Sequence, residues 1–417
     1  MSFLNNIFDN LDAKEVIGLT SELKSLYIYN LFKKKDKSIL LVTSNLHEAG
    51  KLYTSLTHHT DKVWFFPMDD FLTSEAIAIS PEFKVARLET LNNIIKEENV
   101  IVLTNLMGYL RFLVPKQTFK ESYINIKTNH DFKIKELIDK LYKLGYKRET
   151  TVNMTGEIAV RGFVLDIFPI NSENPIRIEF WGDTVDSIKT FNVDTQRTIE
   201  KIKDIMIYPN TEFLIDKDPF DTPYRDIYKY TKTTNIEGYL NKHITIYDNY
   251  NNLHNNYKLL TEEIENYNIS INQDKKTKYM NNFEDIQSKD YIIFETFDNY
   301  HSKNAKNYNS KEIDPFPQGK DNINNRLIKY LNEKKKVIIC LNNRYQINKL
   351  IDNLDNENLV FTNENEIYQN RINLIIKKLS SGFEINNYVI ISEKELFGIT
   401  DENNYKSKFR YGSRIKD

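Results

Sequence analysis

Apolar positions along this chain change rhythm three times. In the first quarter, strand-length apolar runs alternate with helix-like spacing. Ser38–Ser44 (SILLVTS) is such a run, and Leu46, Ala49, Leu52, Tyr53 and Leu56 then recur on one helical face. Val63–Pro67 (VWFFP) reads as a second strand. Pro81 opens a helix with apolar positions at Val85, Leu88, Leu91 and Ile95. Asn99–Asn105 (NVIVLTN) reads as a third strand. Strands and helices in this order predict right-handed βαβ units on a parallel sheet, placed at residues 1–118.

The second rhythm follows a predicted helix over residues 132–146. From Gly156 to Pro209 short alternating runs are broken by Gly, Pro, Asn and Asp. This predicts antiparallel strands and turns, an α+β domain over residues 119–210. Phe191–Ile202 (FNVDTQRTIEKI) is expected to close a hairpin and cap a helix through Asp194 or Thr195. Over residues 211–312 polar helical stretches, DIYKYTKTT (Asp226–Thr234) among them, lead to an apolar strand at Tyr291–Phe294. A smaller α/β unit occupies residues 313–398, and the polar tail 399–417 reads as a linker.

Composition narrows the function classes. At 417 residues, 40% hydrophobic and 28% charged, the chain is ordinary for a multidomain globular protein. It has no apolar run of about 18 residues and no basic-then-apolar leader at its start, so neither a membrane partner nor export is expected, and the cytoplasm is. The single cysteine, Cys340, excludes an intramolecular disulfide and a cysteine zinc site, and seven scattered histidines predict no metal centre. A net charge of −2 provides no global basic field for nucleic acid.

Candidate chemistry begins at Gly18–Ser25 (GLTSELKS). The phosphate-binding loop G-x-x-x-x-G-K-[ST] is matched at Gly18, Lys24 and Ser25, but Leu23 stands where the second glycine belongs. A leucine there loses the left-handed conformation and adds bulk where backbone N–H groups must close on phosphate. Glu22 would also set a carboxylate beside the phosphates. A second half-motif is the strand Tyr291–Phe294 followed by Glu295, where a P-loop ATPase carries an Asp-Glu pair for Mg²⁺. On residues alone, chance, an eroded site and a working site all stay open.

The middle segment is more specific. Its "VRGF", "DIFP", "PIRIEF", "GDTVDSI" and "DTQRTIEK" resemble the domain shared by the excinuclease protein UvrB and the bacterial transcription-repair coupling factors (Mfd), with the coupling factors the nearer likeness. "SPEFKVARLETLN" and "LSSGFE…VIISEKELFG" extend the resemblance over the whole chain. It implies an α/β multidomain fold. A degenerate P-loop, helicase-like parallel-sheet domain comes in two parts, 1–118 and 211–312, with an inserted α+β adaptor domain and a small C-terminal α/β domain. It implies a non-catalytic adaptor that recruits the excinuclease protein UvrA to stalled transcription complexes. The implied partner-binding residues are Arg161, Arg177 and Trp181, with Glu179 and Asp183 as a mixed-charge rim and the two arginines on neighbouring strands. No catalytic residue and no cofactor are expected in this chain. In the family, ATP, Mg²⁺, RNA polymerase and DNA belong to motor and polymerase-binding parts that these residues do not include. The alternatives are an ATP-dependent damaged-DNA-binding enzyme like UvrB, or a brake module acting on a motor. The first alternative needs an intact P-loop and an aromatic clamp hairpin, which the stretch between Phe66 and Ile101 does not supply.

Overall fold

A computed structural model describes residues 7–8, 11–70, 81–218, 224–270, 278–296, 305–354 and 356–398. The tail 399–417 and residues 71–80, within the Phe66–Ile101 stretch, lie outside the described residues. β1 (Glu15–Ile17) runs into α1 (Ser21–Lys35), then β2 (Ser38–Thr43) and α2 (Leu46–Thr57). α2 starts where Asn45 caps it, its side chain accepting from the Glu48 N–H at 2.9 Å. β3 (Val63–Phe66), α3 (Pro81–Lys96), β4 (Ile101–Asn105), α4 (Leu106–Leu110) and α5 (Lys116–Glu121) complete the first part.

The middle domain follows. It comprises β5 (Ile124–Lys127), α6 (Ile134–Lys143), β6 (Lys147–Arg148), β7 (Glu157–Arg161), β8 (Val164–Ile167), β9 (Ile176–Trp181), β10 (Thr184–Phe191), β11 (Thr198–Ile202) and β12 (Asp204–Ile207). Strands β6 to β11 form one sheet in the order β11-β10-β9-β8-β7-β6, and β5 pairs with β12. The helix expected after the Asp194 turn is a strand instead. The Asn192 side chain accepts from the backbone of Asp194 and Thr195 at 3.0 and 2.9 Å, and Gln196 takes a left-handed φ of 59°. This Asx turn reverses the chain, so Thr198–Ile202 pairs back on β10 with Ile188 opposite Ile202.

The chain then returns to the first sheet with β13 (His243–Asp248), α7 (Tyr250–Ser270), α8 (Phe283–Ile286), β14 (Tyr291–Glu295) and β15 (Ala305–Asn307). The order is β15-β1-β14-β13-β2-β4-β3, every pair parallel. The middle domain is therefore an insertion between β4 and β13 of one sheet. β13 was not legible among its polar neighbours, yet it sits centrally with Ile244–Asp248 buried. Of Asp226–Thr234, only Asp226–Lys229 are helical, in a 3-10 element over Tyr224–Lys229; Ile227 is buried, and Lys229 and Tyr230 are exposed.

Last come β16 (Lys311–Glu312), α9 (Lys320–Asn332), β17 (Lys336–Leu341), α10 (Arg344–Leu354), β18 (Leu359–Phe361), β19 (Ile372–Ile376), β20 (Phe383–Ile385), β21 (Tyr388–Ile391) and α11 (Glu393–Phe397). Lys311–Glu312 already pairs with β20, so the small domain's sheet begins before residue 313. Ile338, Cys340, Ile375, Phe383 and Ile390 of this domain share one core with Leu23, Leu26, Leu31 and Ile39 of the first. The small domain is thus packed on the α1 side of the large sheet. No helix among the described residues is long and apolar enough to cross a membrane.

Candidate partner-docking face

The two sequence-predicted regions have opposite fates. Around Gly18, β1 passes into α1 through only Gly18, Leu19 and Thr20. Gly18 holds φ 70°, and a Cβ there would meet Asn307 Oδ1 at 2.7 Å, so close packing as well as conformation demands glycine. Leu23 lies inside α1, fully buried in the shared core. The Thr20 N–H donates to Ser310 Oγ at 2.9 Å, and Ser310 Oγ donates to the Gly18 carbonyl at 2.6 Å. Lys24 Nζ is bound to Asp248 Oδ1 at 2.6 Å. Ser25 is buried in the helix.

Glu22 is turned away from any phosphate position. Its carboxylate accepts from Ser55 Oγ at 3.0 Å and from the Ser380 N–H of the small domain at 2.9 Å, and it lies 3.2 Å from His59 Nε2. Glu295 is buried at the end of β14 and accepts from the Asn251 N–H at 3.0 Å; burial pushes its carboxyl above the ordinary value. A cleft of about 560 Å³ remains beside Thr20 and Ser380, but its lysines Lys24, Lys51 and Lys394 are matched by Glu48, Asp248 and Glu312. It therefore has no surplus positive charge for a polyphosphate.

The middle domain's sheet leaves part of one face open, Val152, Phe168 and Val193 covering Ala159 on the rest. Strand periodicity of two sends Ile176, Ile178 and Phe180 of β9 into the core with Leu137 and Leu141 of α6. Arg177, Glu179 and Trp181 consequently share the opposite face. Arg161 and Arg177 are not on neighbouring strands as expected: β8 lies between β7 and β9. They meet through a residue that the motif reading did not single out, Asp166 of β8, which pairs across from Arg177 in the ladder. Arg177 grips Asp166 bidentately, Nε to Oδ1 at 2.7 Å and Nη2 to Oδ2 at 2.8 Å, while Arg161 Nη2 reaches Oδ2 at 2.7 Å. Asp166 is 1% exposed. The hydrogen-bonded carboxylate raises the Arg177 guanidinium further above its ordinary value. The Arg177 guanidinium also lies 4.5 Å from the Phe191 ring centre, a cation–π contact.

This arrangement fixes two planar guanidinium groups over one buried carboxylate. The Arg161 side chain is 52% exposed and that of Arg177 21%. One carboxylate serves two cations, so the site retains an excess positive charge. Trp181 ends β9 with 84% of its surface exposed. Glu179 is less of a rim than expected. It accepts from Lys189 Nζ and Ser187 Oγ, both at 2.5 Å, and those bonds, Lys189 first, hold its carboxyl below the usual range. Asp183 is exposed at the β9–β10 turn, with its backbone carbonyl accepting from the Phe132 N–H. An exposed aromatic on the same strand face as a partly exposed Arg177, with half-exposed Arg161 two strands away, is the make-up of a protein-binding hot spot.

Comparison with known proteins bears on this same domain. Residues 124–213 match the family model described as the UvrB interaction domain. The chain is 24% identical to the transcription-repair-coupling factor of Staphylococcus haemolyticus over 444 aligned residues, 92% of this chain. It is 34% identical to that of Bacillus subtilis over 51% of the chain, and 31% identical to that of Staphylococcus epidermidis over 52%. The chain matches an N-terminal coupling-factor module. It spans 38%, 18% and 19% of those three relatives respectively, so it corresponds to a minor part of each. Arg161, Asp166, Arg177 and Trp181 all fall inside the matched UvrB interaction domain. Asp166 was missed because a strand aspartate reads as solvated until the β7–β8 hairpin register is known. That register follows from the two-residue turn Gly162-Phe163, which pairs Arg161 with Val164 and Ala159 with Asp166.

Proposed function

We propose that this chain is a non-catalytic recruiting module of transcription-coupled repair, whose open sheet face at Arg161, Arg177 and Trp181 docks the excinuclease protein UvrA. The observation that carries this reading is the pair of guanidinium groups held by buried Asp166 beside exposed Trp181, within a UvrB interaction domain. Arginine suits such a surface because its planar fork pairs with carboxylates and stacks on rings without further ordering. Holding both side chains in advance on three neighbouring strands of one sheet lowers the entropy lost on docking.

The Gly18 loop is in this reading a relic that serves packing. Its backbone donor Thr20 is taken by Ser310, its lysine by Asp248, and its leucine by the core. A chain that bound ATP as UvrB does would need those groups free to meet phosphate. ATP- and Mg²⁺-driven movement on DNA, and contact with RNA polymerase, are assigned here to further parts of the longer relatives.

The test is a titration of this chain with UvrA, alongside an Arg161→Ala/Arg177→Ala double variant. Loss of the paired cations is expected to cost about 2–5 kcal/mol of binding. Equal binding by both proteins, with the fold intact, would remove this face from the interface.

A further inference from the structure

We infer that Phe163 is a second aromatic anchor of the docking face, acting with Trp181 to fill an apolar recess rimmed by carboxylates on UvrA. The inference rests on the docking reading above and adds a residue and a chemistry to it. The β7–β8 and β9–β10 hairpins both close in two residues, Gly162-Phe163 and Gly182-Asp183, and because the strands alternate in direction both tips lie at the same end of the sheet. They are tied together: the Phe180 N–H donates to the Phe163 carbonyl at 2.9 Å, one residue from Trp181.

Each turn has glycine first, at φ 61°, as a type II′ hairpin requires. A Cβ at either glycine would meet nothing within 4 Å, so both tips stand clear of the molecule. The second turn position normally carries a polar residue such as Asn, Asp or Ser, and Asp183 obeys that preference. Phe163 breaks it. Its ring is 65% exposed, and among the described residues only Trp181 and Tyr345 are more exposed large apolar side chains. A local rule broken with no compensating intramolecular burial marks a position kept for a partner. Arg161 precedes the same turn and Trp181 precedes the other, so both aromatics lie at the end of the sheet where β7, with its half-exposed Arg161, finishes. The excess positive charge over Asp166 favours a carboxylate rim around the recess, and aromatic tips favour an apolar floor.

The experiment titrates the full chain and its Phe163→Ala, Phe163→Tyr and Arg161→Ala/Arg177→Ala variants with purified UvrA from the same cell, with thermal melts and sedimentation of each. The expected result is at least tenfold weaker binding for Phe163→Ala, recovery to within threefold for Phe163→Tyr, and unchanged melting. If Phe163→Ala binds like the parent while the double arginine variant does not, Phe163 is a bystander and the docking reading stands. If the parent does not bind, or the arginine variant binds equally well, the docking reading fails and the anchor fails with it. If Phe163→Ala instead abolishes self-association of the chain and leaves the titration unchanged, the tips pair two copies and the inference is overturned.

Discussion

Two charged networks in this protein contain similar groups and do opposite things. At the Gly18 loop, Lys24 pairs with Asp248 at side-chain exposures of 15% and 5%, and Glu22 is enclosed by Ser55, His59 and the small domain's Ser380. Every charge there is satisfied from within, and the small domain packs over it. On the middle domain's sheet, Asp166 is as deeply buried, but its two arginines reach outward on an uncovered face. The difference is one of covering and not of residue type. An ion pair whose cation is held in a cleft between packed elements serves packing and specificity, whereas one with a half-exposed cation such as Arg161 on a sheet face offers a surface to another molecule.

The strongest way to break this comparison is to repair the loop. Leu23→Gly restores the P-loop consensus in the sequence. It is expected to cost about 3–5 kcal/mol in urea unfolding, from a lost core leucine and a glycine in a helix, and to confer no ATP binding by calorimetry. Micromolar ATP binding by that variant would falsify the relic reading. Next in size, Asp166→Ala strands two guanidinium groups beside each other. A loss of about 2–3 kcal/mol in stability is expected, below the cost of fully breaking a buried pair because Arg161 is half exposed, together with a marked loss of partner binding. If binding survives, the carboxylate does not position the arginines.

A smaller effect is expected for Glu22→Ala, which leaves the Ser380 N–H unpaired at the domain joint. About 2 kcal/mol is predicted, with faster amide exchange around Ser380 and unchanged exchange in β7 to β10. Uniform exchange changes would show that Glu22 does not act as a local clasp. Smallest is Glu295→Gln. The folded carboxyl titrates above its unfolded value, so the native state binds more protons in that window and stability falls as pH rises through it. Replacing the carboxyl with an amide should therefore raise stability at pH 7 by up to about 1 kcal/mol and flatten the pH profile above pH 4. A loss of stability at pH 7, or a gain for the parent on adding Mg²⁺, would instead make Glu295 a working acid.

Much of the fold was readable because burial imposes periodicity. Ser38–Thr43, Val63–Phe66, Ile101–Asn105 and Lys336–Leu341 are apolar runs of strand length and form parallel strands, Val63–Phe66 at the sheet edge, and Leu46–Thr57 shows one apolar helical face. β1 is only three residues long, and β13 lies among Asn- and Lys-rich neighbours, so neither displays a period of its own. The strand at Thr198–Ile202 was read as helix because Asp194 and Thr195 are good capping residues. Asn192 took the turn's hydrogen bonds first.

For the candidate site, the sequence by itself determined the residue types: two arginines, an aromatic, and a stretch that matches the P-loop pattern except for leucine in place of its second glycine. Their chemistry is local, since a leucine cannot take a glycine's dihedrals wherever the loop lies. Only the tertiary structure decided that the arginines share Asp166 across an intervening strand, that Phe163 stands beside Trp181 at adjacent tips, and that the small domain packs over the Gly18 loop while the sheet face stays open. Those outcomes depend on strand register and domain packing, which are set by contacts between residues far apart in the chain.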